Sequence, residues 1–174
     1  LIILVVIYLP AGALIKLTSK GPVMIKQSRT GQYGTIFIVY KLRSMTMAEN
    51  PGDTWTAIGD NRITPIGSFL RRLRLDELTQ LINVLKGDMS LVGPRPEQPH
   101  IVDQLREEIP FYDERHTVKP GITGWGQLNV YARTVEQSKT KLQYDLYYIK
   151  HRSFLFDLEI ILKTFYHILT SNDT

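Results

Sequence analysis

The chain has 174 residues, with 21 Lys+Arg against 17 Asp+Glu for a net charge of +4, and no cysteine. That length can bury the core of a single domain, and the basic balance favours anionic partners such as phosphates, nucleic acid or an anionic membrane surface. The missing cysteine excludes disulfides and thiolate metal sites, and four scattered histidines (His100, His116, His151, His167) show no zinc spacing.

Residues 1–15, LIILVVIYLPAGALI, carry no charge before Lys16. As a straight helix they reach only about 23 Å, short of the hydrocarbon core at about 30 Å. The chain begins without Met and without a basic leader, so the expectation is a piece of a longer hydrophobic segment. Pro10 is expected to kink or break the helix. A severed transmembrane helix, a re-entrant membrane helix and a buried core helix all remain open. Membrane association is favoured because no polar face alternates with the apolar one.

TSKGP (18–22) reads as a turn. VMIKQS (23–28) and TIFIVYKL (35–42) are rich in β-formers and flank RTGQYG, which predicts a hairpin. Gly31 and Gly34 serve there as plain turn glycines. Residues 48–64 are polar and turn-rich, a connector or a loop that closes over ligand. Pro65 is placed to open a short helix through residue 74. A helix is expected over 76–86, with Leu78, Leu81, Ile82 and Leu85 on one apolar face and Gly87 as its C-cap. Helical pattern resumes over 97–113. PGITGWGQLN (120–129) reads as a glycine-rich loop leading into a short extended segment. Helices over 134–150 and 154–169 end the chain, the last apolar enough to be fully packed or to lie on a membrane. The fold class is α+β, a small mixed domain of helices with a short β-hairpin, and no repeat or second domain is evident.

The chemistry concentrates in residues 71–97, RRLRLDELTQLINVLKGDMSLVGPRPE. Asp76 and Glu77 follow Arg71, Arg72 and Arg74 and begin a predicted helix. As structure, Asp76 is an N-cap and Glu77 a complement to the helix dipole. As chemistry, carboxylates among cations suit phosphate handling, with Asp76 binding Mg²⁺ or acting as nucleophile. Lys41 and Arg43 in KLRS add two more cations at the end of a predicted strand. Arg95 lies between two prolines that set its backbone before any ligand arrives. Arg115, Lys119 and Arg133 bracket the 120–129 loop, each by itself an ordinary surface charge.

KLRSM (41–45), RLDELTQLINVLKGDMSLVGPRPE (74–97), VKPGITGWGQLN (118–129) and LQYDLYYIKHRSFLFDLEIILKT (142–164) occur in the order of one known family. In these motifs the chain resembles the bacterial sugar transferases, the monotopic phosphoglycosyl transferases, closest to their exopolysaccharide-initiating branch. The resemblance implies a re-entrant membrane helix broken near Pro10 (residues 1–17) and a catalytic domain (18–174) on the cytoplasmic face of the bacterial inner membrane. It implies that Asp76 attacks the β-phosphate of a UDP-sugar, expels UMP and holds a covalent phosphosugar. Polyprenol (undecaprenyl) phosphate then takes that group. Mg²⁺ at Asp76 would offset the diphosphate charge, and Glu77 would orient or deprotonate the acceptor. By position, Lys41, Arg43, Arg71 and Arg95 match the family's basic positions and are assigned to phosphate, followed by Arg115, Lys119 and Gln127. Partners are therefore the UDP-sugar donor, the polyprenol phosphate acceptor and membrane lipid, with a homo-oligomer open and no nucleic acid. The sugar is not specified. Thr79 stands where many members have proline, Leu42 replaces phenylalanine, and Gly126 replaces alanine in GWAQ.

Two other classes compete. A nucleic-acid module would use the Arg71–Arg74 cluster, but no aromatic platform or known binding motif accompanies it. A scaffold seated on anionic lipid by its basic face would not need Asp76.

Overall fold

The computed structural model describes residues 2–46 and 61–170. In chain order these form α1 (Ile2–Thr18), β1 (Met24–Thr30), β2 (Ile36–Leu42), α2 (Pro65–Arg72), a 3-10 helix (Leu75–Gln80) leading into α3 (Leu81–Lys86), and β3 (Ser90–Val92). There follow α4 (Pro99–Glu108), a 3-10 helix (Tyr112–Thr117), β4 (Gly121–Thr123), α5 (Trp125–Asn129), α6 (Val135–His151) and α7 (Phe154–Thr170). The arrangement is α+β, as expected, with two small two-stranded sheets. β1 and β2 form the predicted hairpin, while β3 and β4 pair in parallel with Ser90 opposite Gly121 and Val92 opposite Thr123. A parallel pair needs a crossover, and here α4 lies within it.

The described residues divide into two compact units, one from 2–26, 40–46, 61–79 and 168–170 and the other from 27–39 and 80–167. In the first, Ala11 and Ile15 of α1 pack with Leu42 and Leu70, flanked by Tyr8, Val23, Ile66 and Leu75. In the second, Val92, Tyr148 and Ile160 form a core with Trp125, Leu128, Ile149, Phe156 and Ile161 around it.

Several expectations hold and others are corrected. Pro65 opens α2 behind a Thr64 cap whose hydroxyl accepts from the Gly67 N–H, and Gly87 ends α3 in the left-handed region at φ 85°. Pro10 does not break α1, which runs through it and lacks one N–H donor there. One face of α1 is buried at Ala11 and Ile15 while Leu9, Leu14 and Leu17 are exposed, and among the described residues no helix is long and apolar enough to cross a membrane. The helix expected over 97–113 stops at Glu108, before Pro110, and restarts as the separate 3-10 helix. The segment read as a loop over 120–129 contains β4 and α5. The loop over 48–64 falls outside the described residues except for 61–64, where Ile63 bridges Met45 and closes the stem.

The stretch 75–86 differs most. Its inward residues are polar: Asp76, Glu77, Thr79, Gln80 and Asn83 are buried, whereas Leu85 is exposed and Leu78, Leu81 and Ile82 are half-buried. Strand carbonyls set this choice. Thr79 Oγ1 donates to the Tyr40 carbonyl at 2.6 Å and Asn83 Nδ2 to the Ile38 carbonyl at 2.7 Å. Buried polar atoms are stable where such partners exist.

Candidate active site

The dyad belongs to the first unit. α2 ends at Arg72, and Arg74 takes a left-handed conformation (φ 52°), so the chain turns sharply before the 3-10 helix carrying Asp76 and Glu77. A left-handed arginine is a strained backbone position, of a kind found where a site must be aimed. The Asp76 and Glu77 residues are only 8% and 7% exposed. Lys41, at the end of β2, donates from Nζ to Glu77 Oε1 at 2.8 Å, and Arg74 Nη1 lies 3.8 Å from Glu77 Oε2. A carboxylate this buried needs such partners to keep its charge.

The other basic residues of this unit have distinct places. Arg71 Nε donates to Ser44 Oγ at 2.8 Å, which orients the guanidinium. The chain after β2 comes so close to α2 that a methyl group on Gly67 would collide with the Ser44 carbonyl. Arg43 is buried and engaged with protein: Nη1 donates to the Lys20 carbonyl at 2.8 Å, and Nη2 to the carbonyl and hydroxyl of Ser19, each at 2.9 Å. It thereby anchors the chain just after α1.

In the second unit the GPRPE segment follows β3. Arg95 Nη1 donates to Gln127 Oε1 at 3.3 Å, while Gln127 Nε2 is buried and finds no protein acceptor among the described residues. Arg115 is not at the surface. Its Nε and Nη2 donate to Asp145 Oδ2 at 3.1 and 2.8 Å, Nη1 to Tyr112 Oη at 2.9 Å, and Nη2 also to the Arg95 carbonyl at 2.9 Å. Burial works against the Arg115 charge, but Tyr112, Asp145 and Glu97 hold its pKa above the ordinary range. The desolvated Tyr112 hydroxyl is itself pushed up to about 12. Burial likewise opposes ionised Glu97, yet Lys141, Arg115 and Arg95 outweigh it and hold the carboxyl well below the usual carboxylate range. Lys119 is exposed on the rim of a cleft of about 470 Å³ lined also by Gln32, Tyr148, Arg152, Ser153 and Asp157. Arg95 and Gln127 do not line it.

Among the described residues no cluster of three or more His, Cys, Asp or Glu side chains could hold a metal ion. This donor set does not suit a caged ion. It fits Mg²⁺ brought in with a diphosphate, since that ion uses one or two carboxylates and keeps phosphate and water ligands.

The profile of the family described as bacterial sugar transferase matches residues 1–171. The chain belongs to that family. Similar sugar transferases include the UDP-N-acetylgalactosamine-undecaprenyl-phosphate N-acetylgalactosaminephosphotransferase of Aeromonas hydrophila, 49% identical over 93% of this chain and 39% of that protein. A UDP-glucose:undecaprenyl-phosphate glucose-1-phosphate transferase of Escherichia coli (strain K12) is 46% identical over 86% of this chain and 33% of its own length. The protein of the same description from Caulobacter vibrioides is 41% identical over 94% of this chain and 62% of its length. The chain thus spans about a third to three-fifths of these relatives.

Within this sugar transferase chain, inspection of the sequence missed Asp145, Tyr112, Lys141 and Arg29. One signal was available for Asp145. It lies between Leu142 and Tyr148 at three-residue spacing, an acid on the buried stripe of α6.

Proposed function

We propose that this chain transfers a sugar 1-phosphate from a UDP-sugar to polyprenol (undecaprenyl) phosphate, as an early membrane-bound step of exopolysaccharide or glycan assembly. The observation carrying the proposal is the buried Asp76–Glu77 pair, with Glu77 tied to Lys41. It stands inside the family's own motif. The names of the relatives divide between N-acetylgalactosamine and glucose, so the donor sugar has to be found by experiment.

The Asp76 carboxylate attacks the β-phosphorus of the donor. A new P–O bond to Asp76 forms as the bond to the bridging oxygen breaks, and UMP departs with that electron pair. A phosphate oxygen of polyprenol phosphate then attacks the same phosphorus, which releases the Asp76 carboxylate and yields polyprenol diphosphate-sugar. Held between Lys41 and Arg74, Glu77 is suited to orienting the incoming acceptor. Arg71 and Arg95 present planar forks to phosphate oxygens, Lys41 contributes charge, and Lys119 and Gln127 are secondary candidates. Arg43 and Arg115 are already spent on protein acceptors. Bound Mg²⁺, held by Asp76 and the donor phosphates, would neutralise diphosphate charge as the leaving group forms.

A membrane surface is the natural setting for a polyprenol acceptor, and we assign the cytoplasmic face of the inner membrane. Two features support contact with a membrane. α1 is apolar and leaves Leu9, Leu14 and Leu17 exposed. On α7, Leu155, Leu158, Leu162 and Phe165 form an exposed stripe at three- and four-residue spacing while Ile160 is buried. α7 is therefore not fully packed. We take α1 as a membrane anchor and residues 18–174 as the catalytic part.

Trapping the covalent species tests the chemistry. Incubated with the correct UDP-sugar and Mg²⁺ but no acceptor, the wild-type protein should gain the mass of one sugar phosphate. Asp76→Asn should gain none. Turnover without any such adduct, or an adduct on Asp76→Asn, would remove the Asp76 mechanism.

A further inference from the structure

Pro94 and Pro96 leave half of residues 94–97 without a backbone N–H. The four successive carbonyls are nonetheless all held from outside the segment. Pro94 accepts from the Gly121 N–H at 2.9 Å, Arg95 from Arg115 Nη2 at 2.9 Å, Pro96 from Arg29 Nη1 at 3.1 Å, and Glu97 from the Thr30 N–H at 2.9 Å. Lys141 also holds the Glu97 carboxylate at 2.8 Å. The backbone that carries Arg95 is thus fixed before any ligand binds.

The bond at Arg95 has an anchor of its own. Arg115 and Asp145 side chains are each 2% exposed, and Asp145 takes two of the guanidinium's donors. A guanidinium so enclosed cannot reach a substrate phosphate while it makes these bonds. α5 serves both ends of the arrangement. A methyl group on Gly126 would collide with Asp145 Oδ1, so glycine leaves the anchor its room, and the next residue, Gln127, accepts from the Arg95 side chain.

We propose that Arg115, anchored by Asp145, is a positioning residue that fixes the Arg95 carbonyl and so aims the Arg95 side chain at a donor phosphate; this rests on the phosphate role given to Arg95 above. Arginine is required because its fork reaches Asp145, Tyr112 and the Arg95 carbonyl together. A lysine keeps the buried charge beside Asp145 but cannot make all of those bonds. Released from this constraint, Arg95 spreads over more orientations and donor binding weakens. The transfer step slows little, because ground state and transition state lose the contact alike.

Steady-state kinetics and amide hydrogen exchange on the whole chain in lipid vesicles test this. Arg115→Lys should raise the KM for UDP-sugar about tenfold and leave kcat within about twofold. The KM for polyprenol phosphate should not change, and the Arg95 and Glu97 amides should exchange faster. Arg95→Ala should raise donor KM at least as far, and the double variant should be no worse than Arg95→Ala. An unchanged donor KM in Arg115→Lys, or full additivity in the double variant, overturns the proposal. If Arg115→Lys does not fold, Tyr112→Phe replaces it: it removes the hydroxyl that accepts from Arg115 Nη1 at 2.9 Å without removing a charge, and the same changes are expected at smaller amplitude. A normal donor KM in Arg95→Ala overturns the phosphate role of Arg95 itself, and with it the aiming, even where the exchange data show Arg115 holding the segment.

Discussion

Lys41 Nζ and Glu77 Oε1 meet at 2.8 Å with their side chains 14% and 9% exposed, so the last part of β2 is bonded directly to the carboxylate beside the proposed nucleophile. Breaking this buried pair from one side leaves the carboxylate without its closest cation, with the more exposed Arg74 at 3.8 Å a weaker partner. Lys41→Met should therefore lower stability by about 3 kcal/mol, measured by chemical unfolding. Its activity should fall even under conditions where it remains folded.

Glu77→Gln separates the two halves of the reaction. The first UMP should still be released in a single turnover, because Asp76 is intact. Transfer to polyprenol phosphate should slow by about a hundredfold as the acceptor loses its orientation. Equal loss in both half-reactions would assign Glu77 to the nucleophile's environment instead.

Much of the fold was legible because its signals are local. The hairpin, the Pro65 start of α2, the Gly87 cap and the two last helices all follow from turn chemistry and periodicity over a few residues. The inward face of 75–86 was not. Periodicity shows that a helix has two faces, but here the carbonyls of Tyr40 and Ile38 select the polar one. The β3–β4 pair was missed because each strand is three residues long, and its partner lies across α4. The dyad and Arg95 were picked out by their motifs. The burial of Arg43 and Arg115 was not, since only tertiary structure brings Ser19, Lys20 and Asp145 to them.

His116 gives the fold a pH dependence. Burial, then the nearby Arg115 charge, lowers its pKa from about 6.5 to about 4 despite the Asp113 bond. The folded state therefore resists a proton that the unfolded state accepts. Its contribution is fully present above about pH 6.5, declines as pH falls and is lost by about pH 4, for a total of about 3 kcal/mol. His116→Gln should be less sensitive than wild type to acid between those limits when the two are compared by thermal unfolding.

Gly67→Ala should destabilise by about 2–3 kcal/mol, because the added methyl meets the Ser44 carbonyl and α2 must shift. Activity should fall beyond the loss of folded protein, since that shift also moves Arg71 from Ser44 Oγ. Calorimetry paired with kinetics on the folded fraction checks both.

The exposed stripe of α7 predicts a membrane effect without a fold effect. Leu162→Lys and Phe165→Lys, at positions about 60% exposed, should each weaken partition into lipid vesicles about tenfold. The unfolding transition should be unchanged. Unaltered vesicle binding in the double variant would remove α7 from the membrane contact.

The most direct measurement is UMP release from a panel of UDP-sugars with Mg²⁺ and polyprenol phosphate, comparing wild type with Asp76→Asn. The predicted result is release that requires one particular sugar, stops when the metal is chelated and is absent in Asp76→Asn. No release from any donor by folded, vesicle-bound protein, or equal release by Asp76→Asn, would contradict the account.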